Sequence, residues 1–468
     1  MKKRFISLIT YIYIFTLFVI YPLICGKSYT TLGDIKFYSF FTVSLFFFLL
    51  VCRTEIGAWL RPDDLMNAGK NKKTKTVGAN KTRKRLCITD GLVIIYLLLV
   101  FISYLNAEDK SSTLWGFDGW YMGLYMQVLM VAIYFVIRVA FVMCTDIITA
   151  DRKVILRNAI LISSVIVMLI GIVQSYGIDA FGLYSADSYD YRGLFFSTMG
   201  QTSWYSGYLS FVVVYSLYVN FVDLDKKLLK QTLSLLHLLI AIIALVRLGA
   251  DAAYGATAVA TLCLIWIIWE KRGWSQSVRK VVFGVLIIIA FIVAGFVVLN
   301  STGVFGEPVK GPGGMFFFDN YWGNRRGVIW KHTIDIFRGM GIEGKLFGAG
   351  PDNYYAVSLL TPADDLHSIM ANSITVCAHN EWLNALICYG VFGVVAYLGI
   401  FVVSMVKAAG LIKDKQTCAL AFMLICVYIF HDTFTYQQYY TSPMIFVVMA
   451  VVSATFLNRK KEPDMVKS

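Results

Sequence analysis

The chain has 468 residues, of which 58% are hydrophobic and 15% charged, with a formal net charge of +13. Soluble domains carry roughly 25% charged residues, so this composition excludes an ordinary water-soluble fold and leaves an all-α integral membrane protein. The basic excess needs no nucleic acid, because membrane chains collect lysine and arginine in their cytoplasmic loops.

The chain opens with MKKRFISLITYIYIFTLFVIYPLICG. A basic stub precedes an apolar stretch that is too long for a signal-peptide core and has no small-residue cleavage site, which predicts an uncleaved first span. Crossing ~30 Å of hydrocarbon takes about 20 apolar residues. Stretches near that length predict about twelve spans, at 5–24, 36–52, 89–106, 121–144, 157–177, 204–221, 232–248, 252–269, 281–299, 382–406, 417–431 and 442–457.

Every second loop is basic. Lys2, Lys3 and Arg4 start the series, and the 53–86 loop holds Arg53, Arg61, Lys70, Lys72, Lys73, Lys75, Lys81, Arg83, Lys84 and Arg85. Arg152 and Lys153, then Lys226, Lys227 and Lys230, then Lys271, Arg272, Arg279 and Lys280 continue it. Lys407, Lys413 and Lys415, then Arg459, Lys460 and Lys461, complete it. Basic loops stay inside, so both termini are expected in the cytoplasm of a multi-pass cell-membrane protein. Trp120, Trp204 and Trp382 each open a span predicted to run inward, as an aromatic belt requires. Arg138, about two turns from the inner end of its span, is expected to snorkel to the headgroups.

Three regions follow: a membrane bundle of about nine spans (1–299), an external loop or lid (300–381), and a bundle of about three spans with a tail (382–468). Within the lid, Val328, Trp330, Ile334 and Phe337 recur at near-helical spacing and predict an amphipathic helix. Segment 60–86 is polar and unpatterned, and is expected to be disordered and drawn to anionic lipid. The nine cysteines form no CxxC, and most fall in or beside apolar runs, where cysteine behaves as a small hydrophobe. Phe347–Asn353, FGAGPDN, lacks the lysine of a P-loop and predicts a tight turn.

Chemistry-bearing residues gather on the predicted outer side. His379 and Asn380 sit at the first turn of the span that opens EWLNALICYG. The unpaired N–H groups and positive dipole end there favour neutral imidazole, which accepts a proton, while Glu381 opposes this. His379 and Asn380 are either such a site or a helix cap. Gly390 and Gly393, farther along, would let a neighbouring helix approach closely. His332 and His367 share the lid, and His431 with Asp432 forms a second polar pair, either near the site or simply interfacial.

External arginines are the other signal: Arg192, Arg325, Arg326 and Arg338. A guanidinium grips phosphate oxygens with two parallel charge-assisted bonds. The competing reading is salt bridging to Asp319, Asp335 or Asp352. Asp364 and Asp365 are adjacent and not co-facial, and no motif suggests a metal site.

Four segments in order, RGLFFSTMGQTSWYSGYL (192–209), WGNRRGVIW (322–330), FGAGPD (347–352) and AHNEWLNALICYGVFGVVAYL, resemble the O-antigen ligase and polymerase superfamily, with the closest flavour that of Gram-positive, clostridial-type members. The resemblance implies a metal-independent, cofactor-free, inverting glycosyltransferase of the outer membrane face. Its expected partners are a polyprenyl diphosphate-linked glycan donor, a hydroxyl-bearing glycan or surface acceptor, and membrane lipid. By the family pattern His379 would be the general base or acceptor-orienting group and Arg326 would hold the diphosphate, with Arg325 beside it and Asn380 and Trp330 in support. The family's Ser-Arg-Gly step is missing here: the chain reads VRLGADAAYGATA, so Arg247 or Arg192 would supply the second phosphate arginine. The alternative is a polysaccharide exporter or lipid-linked sugar flippase.

Overall fold

The computed structural model describes residues 2–54, 86–184, 197–223, 228–311, 314–370 and 375–459, and among these every regular element is helical. The disordered segment expected at 60–86 therefore lies outside the described residues except for Leu86 at its end.

Helix α1 (Lys2–Phe15) continues through a π turn (Thr16–Ile20) and a 3₁₀ turn (Tyr21–Leu23) that holds Pro22. There follow α2 (Tyr29–Cys52), α3 (Ile88–Asn106), α4 (Lys110–Trp115), α5 (Leu124–Met143), α6 (Ala150–Gln174), α7 (Thr202–Phe221), α8 (Leu228–Leu248), α9 (Asp251–Lys271) and α10 (Gln276–Ser301). Next come four helices of the segment expected to form a lid, α11 (Trp322–Gly339), α12 (Ile342–Phe347), α13 (Tyr354–Leu359) and α14 (Asp364–Ile369), then α15 (Glu381–Ala409), α16 (Gln416–Asp432) and α17 (Ser442–Arg459). Polar caps set several starts: Ser28, Thr149, Ser275 and Asn380 each accept a backbone N–H from three residues on, satisfying a donor that a helix leaves open.

Nine helices among the described residues are long and apolar enough to cross a membrane. Helices also occupy the three other predicted spans, at α7, α10 and α16. Helix α16 has only 17 residues, and α7 interrupts its apolar run with Ser203, Ser206, Ser210, Ser216 and Asn220.

The bundle pairs α17 with α5, α15 with α3, α9 with α16, and α7 with both α8 and α9. Its two ends differ. At one end the predicted inner loops join each other: Lys153 pairs with Asp223 at 2.8 Å, Lys413 with Glu270 at 3.5 Å and Arg459 with Asp414 at 3.0 Å. At the other end Tyr21 bonds the carbonyl of Tyr439, and Trp120 meets Trp204 in an edge contact at 5.9 Å.

Arg138 does not snorkel. It is fully buried and pairs at 2.7 Å with Asp90, also fully buried, in the first turn of α3. Asp90 accepts from Tyr134 Oη at 2.8 Å and from the Cys87 amide at 2.7 Å, so a compensated pair replaces headgroup contact. Removing one member of such a pair strands a buried charge, whereas the intact pair roughly breaks even.

Two other expectations are corrected. The apolar face of α11 buries Val328, Ile329, His332, Thr333 and Ile336, while Ile334 is 42% exposed. Packing decides this face: Leu366 of α14 clusters with Val328 and Ile329, Ser358 bonds His332, and Tyr354 bonds Thr333. FGAGPDN is more than a tight turn, because it closes a break in α15. Gly390 adopts φ 69°, ψ −178°, which only glycine holds without strain, and an added Cβ would lie 2.4 Å from the Leu346 carbonyl oxygen. The amides of Ala349 and Gly350 then donate to the carbonyls of Ile387 and Cys388, at 3.0 and 3.1 Å. Backbone broken at membrane depth needs such partners from protein.

Candidate functional site

The site is built where the start of α15 meets the start of α11 and the segment between α16 and α17. His379 precedes α15 with φ 48°, a left-handed conformation uncommon outside glycine. The cap beside it fixes its place: the next residue, Asn380, accepts the Leu383 amide at 3.0 Å. Asn380 is thus a helix cap that positions His379.

The half-buried imidazole meets the Tyr436 ring edge-on at 5.5 Å and 73°. Tyr436 is itself fixed, its hydroxyl bonding Gln201 at the start of α7 and its ring packing on Trp120 at 4.3 Å. Burial lowers the imidazole pKa to about 4, and the nearby positive charge of Arg326 lowers it in the same direction. His379 is therefore neutral near pH 7, the form able to accept a proton.

Arg326 reaches this point because the chain reverses just before it. Gly323, Asn324 and Arg325 are all left-handed, and α11 proper begins after them. The glycine of the Arg-Gly pair is dictated by contact, since an added Cβ on Gly327 would lie 1.7 Å from the Asp319 carbonyl oxygen. Arg326 is half-buried; its Nη1 donates to Gly323 O at 2.8 Å, and its buried Nε has no hydrogen-bond partner. Among the described residues no carboxylate forms an ion pair with it. Burial makes the charged guanidinium less favourable, and Asp251, at the start of α9, acts through space in the opposite sense.

Trp330 lies one turn farther along α11. Its ring is half-buried among Trp322 (5.1 Å), Phe318 (6.1 Å) and Phe434 (6.4 Å), and its indole N–H is buried without a hydrogen-bond partner. Arg325 is exposed. Arg247 is committed elsewhere: it bonds the Ser175 side chain and carbonyl, both at 2.8 Å, and lies 4.3 Å from the Tyr176 ring centre. Arg192 lies outside the described residues. His379, Asn380, Arg326 and Trp330 thus belong to one neighbourhood, and Arg247 is held by the end of α6.

Of the other residues expected on the lid and outer side, His332 bonds Ser358 at 2.9 Å, and Arg338 pairs with Asp335 on the surface at 3.1 Å. His431 is buried between Ser206 Oγ (2.8 Å) and Asp432 (3.3 Å). Asp352, the acid of FGAGPDN, accepts the amides of Phe117 and Met122, at 2.9 and 3.0 Å, and burial raises its pKa to about 7. Among the described residues no group of three or more His, Cys, Asp or Glu side chains could hold a metal ion.

Sequence reasoning missed Gln201 and the 435–441 segment, TYQQYYT, every residue of which is buried. Its aromatic and amide content between two spans was the available signal. In the sequence Glu381 is only a charge opposing the dipole; in the structure it is buried, and it accepts the Gln437 amide at 2.7 Å.

Neither protein-family models nor curated proteins give a match to this chain. The functional reading therefore stands on the residues and their arrangement.

Proposed function

We propose that the protein is a membrane glycosyltransferase that moves a glycan from a polyprenyl diphosphate carrier to an acceptor hydroxyl on the outer face, in the manner of O-antigen ligases and polymerases. The observation that carries this reading is Arg326: a half-buried guanidinium, without a carboxylate partner among the described residues, close enough to His379 to disfavour its protonation. A buried charge is normally paired. An anionic ligand would complete Arg326, and a lipid diphosphate at headgroup level supplies the charge and the planar oxygens that a guanidinium fits.

In this mechanism the leaving diphosphate needs fixed positive charge beside it, which Arg326 provides. Neutral His379 accepts the proton of the acceptor hydroxyl as the oxygen attacks the anomeric carbon from the side opposite the diphosphate, inverting that centre. Trp330 offers its free indole N–H one turn away, and Asn380 holds the histidine helix start. The second phosphate cation is assigned to Arg192, because Arg247 is already engaged by Ser175 and Tyr176.

The same reading places all twelve predicted helices across the cell membrane, with both termini in the cytoplasm and the 300–381 lid outside. That orientation follows from the basic loops, which three ion pairs tie together at the end of the bundle away from His379.

Deletion followed by analysis of cell-surface glycan tests the function. Loss of chain length indicates a polymerase, and loss of attachment with normal chains indicates a ligase. Loss of surface glycan altogether, with carrier-linked glycan trapped on the inner side, would instead support the exporter.

A further inference from the structure

Glu381 is the one acidic residue in the first turn of α15, and it faces inward rather than solvent. Its residue is 1% exposed, and Oε2 accepts the backbone N–H of Gln437 at 2.7 Å. That amide belongs to the buried 435–441 segment. A buried segment without regular secondary structure must find partners for its polar backbone groups outside a helix or sheet, and Glu381 supplies one. The Gln437 side chain extends the anchor inward: Nε2 meets Tyr397 Oη at 3.1 Å, Oε1 accepts from Gln127 at 2.9 Å, and Tyr96 closes the chain on Gln127 at 2.8 Å. The residue next to Gln437 is Tyr436, whose ring lies against His379.

We infer that Glu381 is a positioning residue for His379, acting through Tyr436. The two residues flanking Asn380 then divide the work. His379 faces the reacting groups, and Glu381 clamps the strip of chain that carries the ring packed on the imidazole. Tyr436 shields one edge of His379 from water and restricts the ring to one orientation, while its hydroxyl on Gln201 fixes it from the far side. The importance of this orientation for group transfer rests on the glycosyltransferase reading; the clamp itself does not.

The test uses detergent-solubilised full-length protein and diethyl pyrocarbonate, which acylates neutral imidazole, with each histidine followed by peptide mass spectrometry. Glu381→Ala should raise the modification rate of His379 several-fold, while His237 and His332, buried elsewhere, stay at wild-type rates. Glu381→Gln keeps an oxygen for the Gln437 amide and should leave His379 at the wild-type rate. An unchanged His379 rate in Glu381→Ala overturns the inference, and so does a Glu381→Gln protein as reactive as Glu381→Ala. If Glu381→Ala fails to fold, seen as all histidines reacting, Tyr436→Leu decides: it must expose His379 selectively, and no change there also overturns the inference. In transfer assays Glu381→Ala should lower kcat with donor KM nearly unchanged, rescued by Glu381→Gln. A shielding response without any detectable transfer would contradict the transferase reading and leave the clamp standing.

Discussion

Arg138 and Arg326 both lie partly or wholly away from bulk water, and they are treated in opposite ways. Arg138 is fully buried inside the bundle and closed by Asp90 at 2.7 Å, with Tyr134 on the same carboxylate. Arg326 stands half-buried at the lip of the bundle with a backbone carbonyl for one nitrogen and an open Nε. The first charge is paired within the protein, while the second, on the function proposed above, takes an anion. On that proposal the contrast separates an arginine that holds a fold from one that would hold a ligand, and proximity to His379 would give the second a chemical role.

The largest effect expected is at the partner of the open arginine. His379→Ala should lower transfer by about 10²–10⁴-fold, the usual worth of general-base help, at equal protein level in membranes. Normal glycan attachment by that variant would remove His379 from the mechanism and leave Arg326 a cation without chemistry beside it.

The closed arginine should respond in stability. Asp90→Ala strands Arg138, and losing one partner of a buried pair costs about 3–5 kcal/mol, read as a marked fall in thermal unfolding temperature in detergent. Arg326→Met should leave that temperature at or above wild type while lowering transfer at least about tenfold. Equal destabilisation by the two variants would erase the distinction between them.

Acid should act through the same neighbourhood. Burial and Arg326 both hold the His379 pKa down, at about 4, below the usual ~6.5 of histidine. Its neutral form therefore persists into mild acid. The kcat/KM profile should stay level from pH 7 to near 5 and fall below that, whereas an ordinary histidine would already be half protonated near 6.5. Bound diphosphate adds negative charge and favours imidazolium, so the acid limb of kcat should lie at higher pH than that of kcat/KM. The smallest effect belongs to Arg325→Ala, since Arg325 is exposed: transfer should change by less than about threefold, as for surface positions with little coupling.

Much of this architecture was legible in the chain. The apolar runs located the long helices, and the alternation of basic loops anticipated the end of the bundle where Lys153, Lys413 and Arg459 form their ion pairs. The resemblance to a known signature singled out His379 and Arg326, which the fold then brings together. What stayed hidden depends on contacts between distant residues. Hydropathy reads 382–406 as one continuous span and cannot see the break at Gly390, because the Ala349 and Gly350 amides that cap it lie in another segment. Arg138 looked like a snorkelling residue because its partner Asp90 is 48 positions away. Glu381 and Tyr436 meet their neighbours across 56 and 235 positions, through Gln437 and Gln201, distances at which no periodicity operates.

The most direct measurement of the central claim is a titration of purified protein with a short-chain prenyl diphosphate, comparing wild type with Arg326→Lys. Saturable binding that weakens at least about tenfold in Arg326→Lys, with unfolding temperature unchanged, is the predicted result, because an ammonium cannot make the forked contact. Equal affinity in the two proteins would contradict it and return Arg326 to a purely structural role.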